Sequence, residues 1–417
     1  MTEKIFLMLI ALIFFIGTKT TYAAGIEVTD SRATPDYWIN RATDGNNILF
    51  TESQIERINA EMLARDDYSS DLANYPETIL GKDLAARILK ASDDVNLIGS
   101  DSIMANRDLN SLNYDANINV RYAVTVERVN VRILPQGLTG SKYDEIQGTA
   151  LDPAEAVAVL WDSRDGRFCF IQARYYFGWV TKNSLAFTDR ATWLTYVQPA
   201  DFLIVTTNKK FVNVNGKIIL FQMGAKIPLE SSAIENNSWT VRLPVIENDE
   251  LKEVSVKILN DGKVNEGFLP CTKNNFVRQS FKFLGDVYGW GGLDNSVDCS
   301  AFVQDVYRSM GFNIPRDADR QNNCMPIFSV FNNVTYAERA DIARRAPTGA
   351  LLLKKGHVMM KLGNDDNGTP LVIHAASSYY SGGQKIYVRK VLVTDLSYQN
   401  AYGNSSLETL IGITYPK

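Results

Sequence analysis

The chain has 417 residues, enough for two to four domains of roughly 100–200 residues each. Hydrophobic residues make up 45% and charged residues 22%, which excludes a disordered or collagen-like chain. The net charge is −4 with no basic surplus, which argues against nucleic acid as a partner.

Residues 1–23 read as a secretion signal. Lys4 gives a short basic start, and residues 5–16 are uninterrupted apolar. That run is shorter than the ~20 residues needed to span a bilayer. Thr21-Tyr22-Ala23 has the form of a cleavage site, and the first cysteine, Cys169, comes far too late to carry a lipid. No later stretch is long and apolar enough for a second span. The expected protein is exported, periplasmic or extracellular, with no stable membrane insertion after cleavage.

The next segment, 24–113, reads as helical. Thr51-Glu52-Ser53-Gln54 has the form of a helix cap, followed by Ile55, Ile58, Met62 and Leu63 at helical spacing. A second run over 80–97 puts Leu84, Ile88 and Leu89 on one face. From about Tyr122 short β-rich runs take over, at 123–131, 156–160, 168–173 and 178–181. A further set follows at 202–206, 217–221, 238–244 and 253–258. Strands of this length and spacing predict two small barrels, 114–195 and 196–272, with a single β-sandwich as the alternative. Helices return at 275–284 and 300–310, the second stopped by Gly311. Strands then follow at 350–353, 357–362, 370–375 and 385–391. Helices followed by strands make 273–417 an α+β domain.

The chemistry concentrates in that last domain. Cys299 sits where a helix begins, and a helix N-terminus favours a thiolate, so a depressed pKa is expected there. The chain has only two histidines, His357 and His374, 17 residues apart. Gly363-Asn364-Asp365-Asp366-Asn367-Gly368 between them reads as a hairpin turn. Adjacent antiparallel strands would set the two imidazoles side by side, one as base and one as its orienter. Cys169, Cys271, Cys299 and Cys324 show no tight spacing, which predicts mostly free, buried thiols and no zinc site.

These residues resemble those of the NlpC/P60 family of papain-like cell-wall cysteine peptidases. The resemblance runs from about 274 to the C-terminus. It rests on Tyr288-Gly289-Trp290-Gly291-Gly292, Asp298-Cys299-Ser300-Ala301-Phe302, Ile314-Pro315-Arg316 with Gln321, Gly356-His357-Val358 and Val372-Ile373-His374-Ala375. A helical segment and two bacterial SH3-like barrels before the peptidase look like the γ-D-glutamyl-L-diamino acid endopeptidases of murein-peptide turnover. Arg132-Ile133-Leu134-Pro135 and Tyr176-Phe177-Gly178-Trp179 resemble the first barrel of that group.

The resemblance implies hydrolysis of L-Ala-γ-D-Glu-diamino acid peptides, with a preference for a free N-terminal L-Ala. Cys299 would be the nucleophile, His357 the base and His374 its orienter. The Cys299 N–H and the Tyr288 hydroxyl would hold the oxyanion. Trp290, Asp298 and Ser300 would line the D-Glu side of the cleft, and Asp317 would also bind substrate. Tyr176 and one acid among Asp144, Glu145 and Glu155 would hold the substrate amine, Glu155 being the choice carried forward. Ala318 stands where related enzymes often carry Ser, and Ser300-Ala301 stands for Ser-Gly. Neither change removes a member of the triad. No metal or organic cofactor is needed. Two other readings are a non-catalytic wall-binding protein that works through its barrels, and a Cys-dependent amidase or acyltransferase on the same fold. The Cys-His-His set argues against the first, and a narrow cleft closed by the first barrel would argue against the second.

Overall fold

The structure, a computed structural model, describes residues 27–93, 101–381 and 383–416. The secretion signal expected at 1–23 lies outside the described residues. The N-terminal segment holds two main helices. Thr51 caps Glu52–Leu63: its side chain accepts from the Gln54 N–H, and the Gln54 side chain accepts from the Thr51 N–H. The buried Ile55, Ile58 and Met62 on that helix pack with Phe276, Phe302 and Phe312 of the C-terminal domain. Helix Gly81–Asp93 instead buries Leu84 and Ile88 with Phe170 and Trp179 of the first β-rich block. The segment therefore ties the two halves together by contributing to both cores. It also holds a short strand, Thr78–Leu80, paired with Asn117–Asn119.

The run expected at 123–131 is two strands. Arg121–Thr125 pairs with Ala156–Asp162 and Leu185–Thr188, while Val129–Arg132 pairs with Gln147–Leu151 and Phe177–Thr181. Alternation of side chains does not reveal a change of neighbours, so the break between them is invisible in the sequence. Strand Gln147–Leu151, too polar to be read beforehand, faces the C-terminal domain. The second β-rich block is built on a long hairpin, Ser238–Glu247 against Glu250–Leu259. Its strands join those of the first block in one twelve-stranded sheet, through a parallel pair of Glu250 with Phe187. Buried Val205, Phe221 and Trp239 share one apolar core with Phe170 and Trp179. The two blocks expected as separate barrels thus merge along a common core.

The C-terminal domain has a six-stranded antiparallel sheet in the order Ile327–Val330, Gly412–Thr414, Leu351–Lys354, His357–Asn364, Pro370–Ser381, Gln384–Thr394. Helix Cys299–Arg308 lies on one face, with Phe302, Val303 and Val306 in a core with Val358, Met360 and Ile373. Leu352, Met359 and Val372 on the other face share a core with Ala343 of helix Tyr336–Arg345. Burial on both faces holds the two central strands rigidly. All four cysteines are free and buried.

Candidate active site

Asp298 caps helix Cys299–Arg308 by accepting from the Ala301 N–H at 2.8 Å, which fixes Cys299 as the first helical residue. Cys299 is only 7% exposed. Burial first, and then the adjacent Asp298 carboxylate, push its thiol up to about 12. The depressed pKa expected from the helix start is thus overturned. A helix terminus supplies about half a unit charge, and here desolvation and a full carboxylate charge outweigh it. Cys299 packs in one core with Val358, the residue after His357.

The histidines are brought together by register. Met360 pairs with Ile373. His357 lies three residues before Met360 and His374 one after Ile373, so both side chains leave the same face. His357 Nε2 is 2.9 Å from His374 Nδ1, and His374 Nε2 is 3.1 Å from Thr394 Oγ1. In one consistent tautomer, His357 donates from Nε2 to His374 and His374 donates from Nε2 to Thr394. That leaves His357 Nδ1 as the free basic nitrogen. Burial, aided by the charges of His374 and Lys354, holds His357 well below its ordinary value. Burial takes His374 down to about 3. At neutral pH the site therefore holds a thiol and two neutral imidazoles.

Asp298 and Ser300, expected along the D-Glu side of the cleft, are turned inward. The Asp298 carboxylate accepts five hydrogen bonds, from Gly291 N, Ser300 Oγ, Ala301 N and two Arg316 nitrogens. A carboxylate offers about four lone-pair sites, so none is left for substrate. The Ser300 hydroxyl also accepts from Arg316, at 2.8 Å. Arg316, fully buried, reaches across to Thr149 of the first β-rich block at 2.7 Å. Gly291, at φ +56°, bonds that block through its carbonyl, which accepts from Gln147 Nε2 at 2.8 Å. A Cβ on Gly291 would meet the Gln147 side chain at 2.6 Å, so the close approach requires glycine. These residues fix the start of the Cys299 helix against the first block.

A cavity of about 420 Å³ opens beside His357, lined also by Tyr288, Trp290, Lys354, Tyr379 and Tyr398. Burial above all, then Cys299 and Asp298, push the Tyr288 phenol up, which keeps it a hydrogen-bond donor. Trp290 is 38% exposed, with Tyr143 edge-on at 6.1 Å. Its ring is a wall of the cleft more than a core residue.

Tyr176 is buried where the first block meets the N-terminal segment, with its ring 5.5 Å from that of Tyr68. Arg320 lies 3.7 Å over Tyr68 and 5.4 Å from the Tyr176 ring centre. Asp317 raises the Tyr176 phenol by its charge, after burial, and accepts from Arg320 at 2.5 Å. Glu155 is elsewhere: it pairs with Arg308 at 3.0 Å and accepts from Tyr175 at 3.0 Å. Asp144 is locked in a buried pair with Arg132 at 2.8 Å, and Glu145 is exposed. The carboxylate whose field reaches Tyr176 is Asp317, from the C-terminal domain. Glu155, the acid expected at the substrate amine, is spent on Arg308 and Tyr175, and Asp317 is itself paired with Arg320.

Thr394, Tyr398, Lys354 and Tyr68 were missed. Each is a common residue outside any motif, and only strand pairing or cross-domain packing brings it to the site. Arg316 stood inside a quoted motif, but nothing local revealed its inward turn.

Residues 285–390, which include Cys299, His357 and His374, match the NlpC/P60 family. Residues 135–181 match the SH3 domain of SH3b1 type. None of the curated proteins matches the chain. Among solved structures, a novel NlpC/P60 endopeptidase from Photobacterium damselae subsp. piscicida is similar at TM-score 0.72 and 16% identity, over 94% of this chain and 99% of that one. An NlpC/P60 family protein from Bacillus cereus ATCC 10987 is similar at TM-score 0.51 and 17% identity, over 71% of this chain and 99% of that one. Likeness at such identities is likeness of fold. One region of the chain is thus similar to the NlpC/P60 family and another to the SH3 domain of SH3b1 type.

Proposed function

We propose that this protein is an exported cysteine peptidase that hydrolyses the γ-D-glutamyl-L-diamino acid bond of murein peptides and prefers a free N-terminal L-Ala. The observation that carries the reading is the relay from His357 through His374 to Thr394, in a domain whose buried Cys299 opens a helix packed on the same sheet. That arrangement suits acyl transfer and needs no metal or organic cofactor.

The Cys299 sulfur attacks the γ-carbonyl carbon of D-Glu as its proton moves to His357 Nδ1. The Cys299 N–H and the Tyr288 hydroxyl receive the oxyanion. The carbon–nitrogen bond then breaks, and His357 returns the proton to the leaving amine. Water, deprotonated by His357, opens the thioester and frees the γ-carboxylate and the thiol. His374 holds the His357 tautomer throughout and spreads its positive charge.

Support for the amine preference is the Asp317 carboxylate, whose charge acts on the buried Tyr176 phenol. A substrate ammonium would pair with Asp317 and bond to Tyr176. An N-acetyl group removes that charge and adds bulk. The test is kcat/KM on L-Ala-γ-D-Glu-diamino acid and on its N-acetylated form. The free peptide is expected to be better by ~100-fold, from the lost charge partner together with the added bulk. Equal values would mean that Asp317 does not read the amine. No hydrolysis of either would overturn the activity.

A further inference from the structure

One cationic side chain at the cleft takes no part in the chemistry above. Lys354 ends the strand Leu351–Lys354 and pairs in register with His357 on the next strand. Its Nζ donates to Ser406 Oγ at 3.1 Å and lies 4.8 Å from the centre of the Tyr398 ring. That ring meets His374 edge-on at 5.3 Å and His357 at 6.5 Å. Burial takes the Lys354 ammonium down to about 8, and no carboxylate among the described residues contributes to its environment. An ammonium withdrawn from water without an anion is costly to keep.

The cavity beside it, of about 420 Å³, is lined by Lys355 as well and by no Asp or Glu among the described residues. Its remaining walls include Tyr288, Trp290, Tyr379 and Asn400, which are aromatic or neutral. His357, which returns the proton to the leaving amine in the chemistry above, lines this cavity, and the two lysines set their side of it apart from the Trp290 side as the seat for the leaving diamino acid. A pocket with two lysines, aromatic walls and no counter-charge is complementary to an anion carried on a short aliphatic chain.

We propose that Lys354 anchors a carboxylate of the leaving diamino acid, so that the enzyme selects a residue with a carboxylate at the far end of its side chain, diaminopimelate, over one with a bare ammonium there, lysine. This rests on the peptidase reading above. The two side chains differ in that far carboxylate, and a lone ammonium beside Lys354 and Lys355 would be repelled. The α-carboxylate is common to both and would mask the difference, so it has to be blocked.

The experiment compares two tripeptides, L-Ala-γ-D-Glu-L-lysine and L-Ala-γ-D-Glu-meso-diaminopimelate, both with the α-carboxyl of the last residue as its amide. The wild type should favour the diaminopimelate peptide by about tenfold or more in kcat/KM, as for one charge-assisted hydrogen bond, and mostly through KM. Lys354→Met keeps the length of the stem and should bring the two values within about twofold, by raising KM for the diaminopimelate peptide. Lys354→Arg should retain the preference. Equal wild-type values overturn the anchor, and that comparison decides by itself if Lys354→Met does not fold. A Lys354→Met enzyme that loses kcat on both peptides and keeps the preference also overturns it, since Lys354 would then only support the fold. Hydrolysis of neither peptide by the wild type overturns the peptidase reading and the anchor with it.

Discussion

His357 and His374 face each other from neighbouring strands, Nε2 to Nδ1 at 2.9 Å, although 17 residues separate them in the chain. Only one proton fits between those two nitrogens. With His357 as the donor, the His374 proton sits on Nε2, aimed at the Thr394 hydroxyl, which accepts it. Thr394 thereby supports the tautomer that leaves His357 Nδ1 free as the base.

Removing the reacting groups should be nearly all-or-none. Cys299→Ala and His357→Ala should each lower kcat/KM by ~1000-fold or more, and the double variant should be little worse, because the parts act as one unit. Both variants should keep the wild-type circular dichroism spectrum. An active Cys299→Ala enzyme would remove Cys299 as the nucleophile.

Thr394 acts through His374 and should show a graded effect. Thr394→Val keeps the shape and deletes the one partner of His374 Nε2 among the described residues. That leaves a buried N–H unpaired, with a cost of ~1–3 kcal/mol. We expect kcat to fall about tenfold with KM nearly constant, and Thr394→Ser to restore most of it. If Ser restores nothing while Val unfolds at the wild-type temperature, the hydroxyl does not orient His374.

The histidine pair should make the fold acid-sensitive. His374 binds its proton near pH 3 in the folded state and near the ordinary 6.5 when unfolded. Between those values the unfolded chain holds more protons, so stability is full above pH 6.5 and falls as the pH drops. The slope is at most about 1.4 kcal/mol per pH unit, or ~2 kcal/mol by pH 5. Asp305 works in the opposite direction, because burial pushes its carboxyl up to about 7. Comparing wild type with His374→Gln cancels that contribution. The stability gap between the two proteins, from urea melts, should shift toward the variant by roughly 2 kcal/mol between pH 7.5 and pH 5. An unchanged gap would show that His374 titrates normally.

Arg316 should matter more for the joint between the halves than its place near the cleft suggests. Arg316→Met strands the buried Asp298 carboxylate and should destabilise the protein by about 3–5 kcal/mol. Arg316→Lys should recover little, because an ammonium cannot make the two-pronged contact to Asp298 and also reach Ser300 and Thr149. Thermal unfolding of the three proteins checks this. A Lys variant as stable as wild type would show that charge alone suffices.

Much of this was legible in the sequence because it is local or scarce. The Thr51–Gln54 cap, the Asp298 cap and the Gly- and Asn-rich turn after Asn364 are decided by neighbours within four residues. With two histidines in the chain, the candidates for a base and its orienter could be found by elimination. The helix over Tyr336–Arg345 had a cap of the same kind, Thr335 with Glu338, and was missed because its apolar face is short.

What the tertiary structure alone decided is how each side chain is spent and what charge it carries. Asp298 and Ser300 turn inward because Arg316 arrives from another turn of the chain, and Glu155 is taken by Arg308 from more than 150 residues away. The Cys299 thiol stays protonated although it starts a helix, because burial and a neighbouring carboxylate act over a few ångströms in a low-dielectric site and outweigh the helix terminus. Lys354 becomes a cation at the cleft through strand register and the late-folding-back loop that brings Tyr398 and Ser406 beside it. Backbone pattern is a property of neighbours along the chain. Solvation, ion pairing and protonation are properties of neighbours in space, and those exist only once the chain has closed on itself.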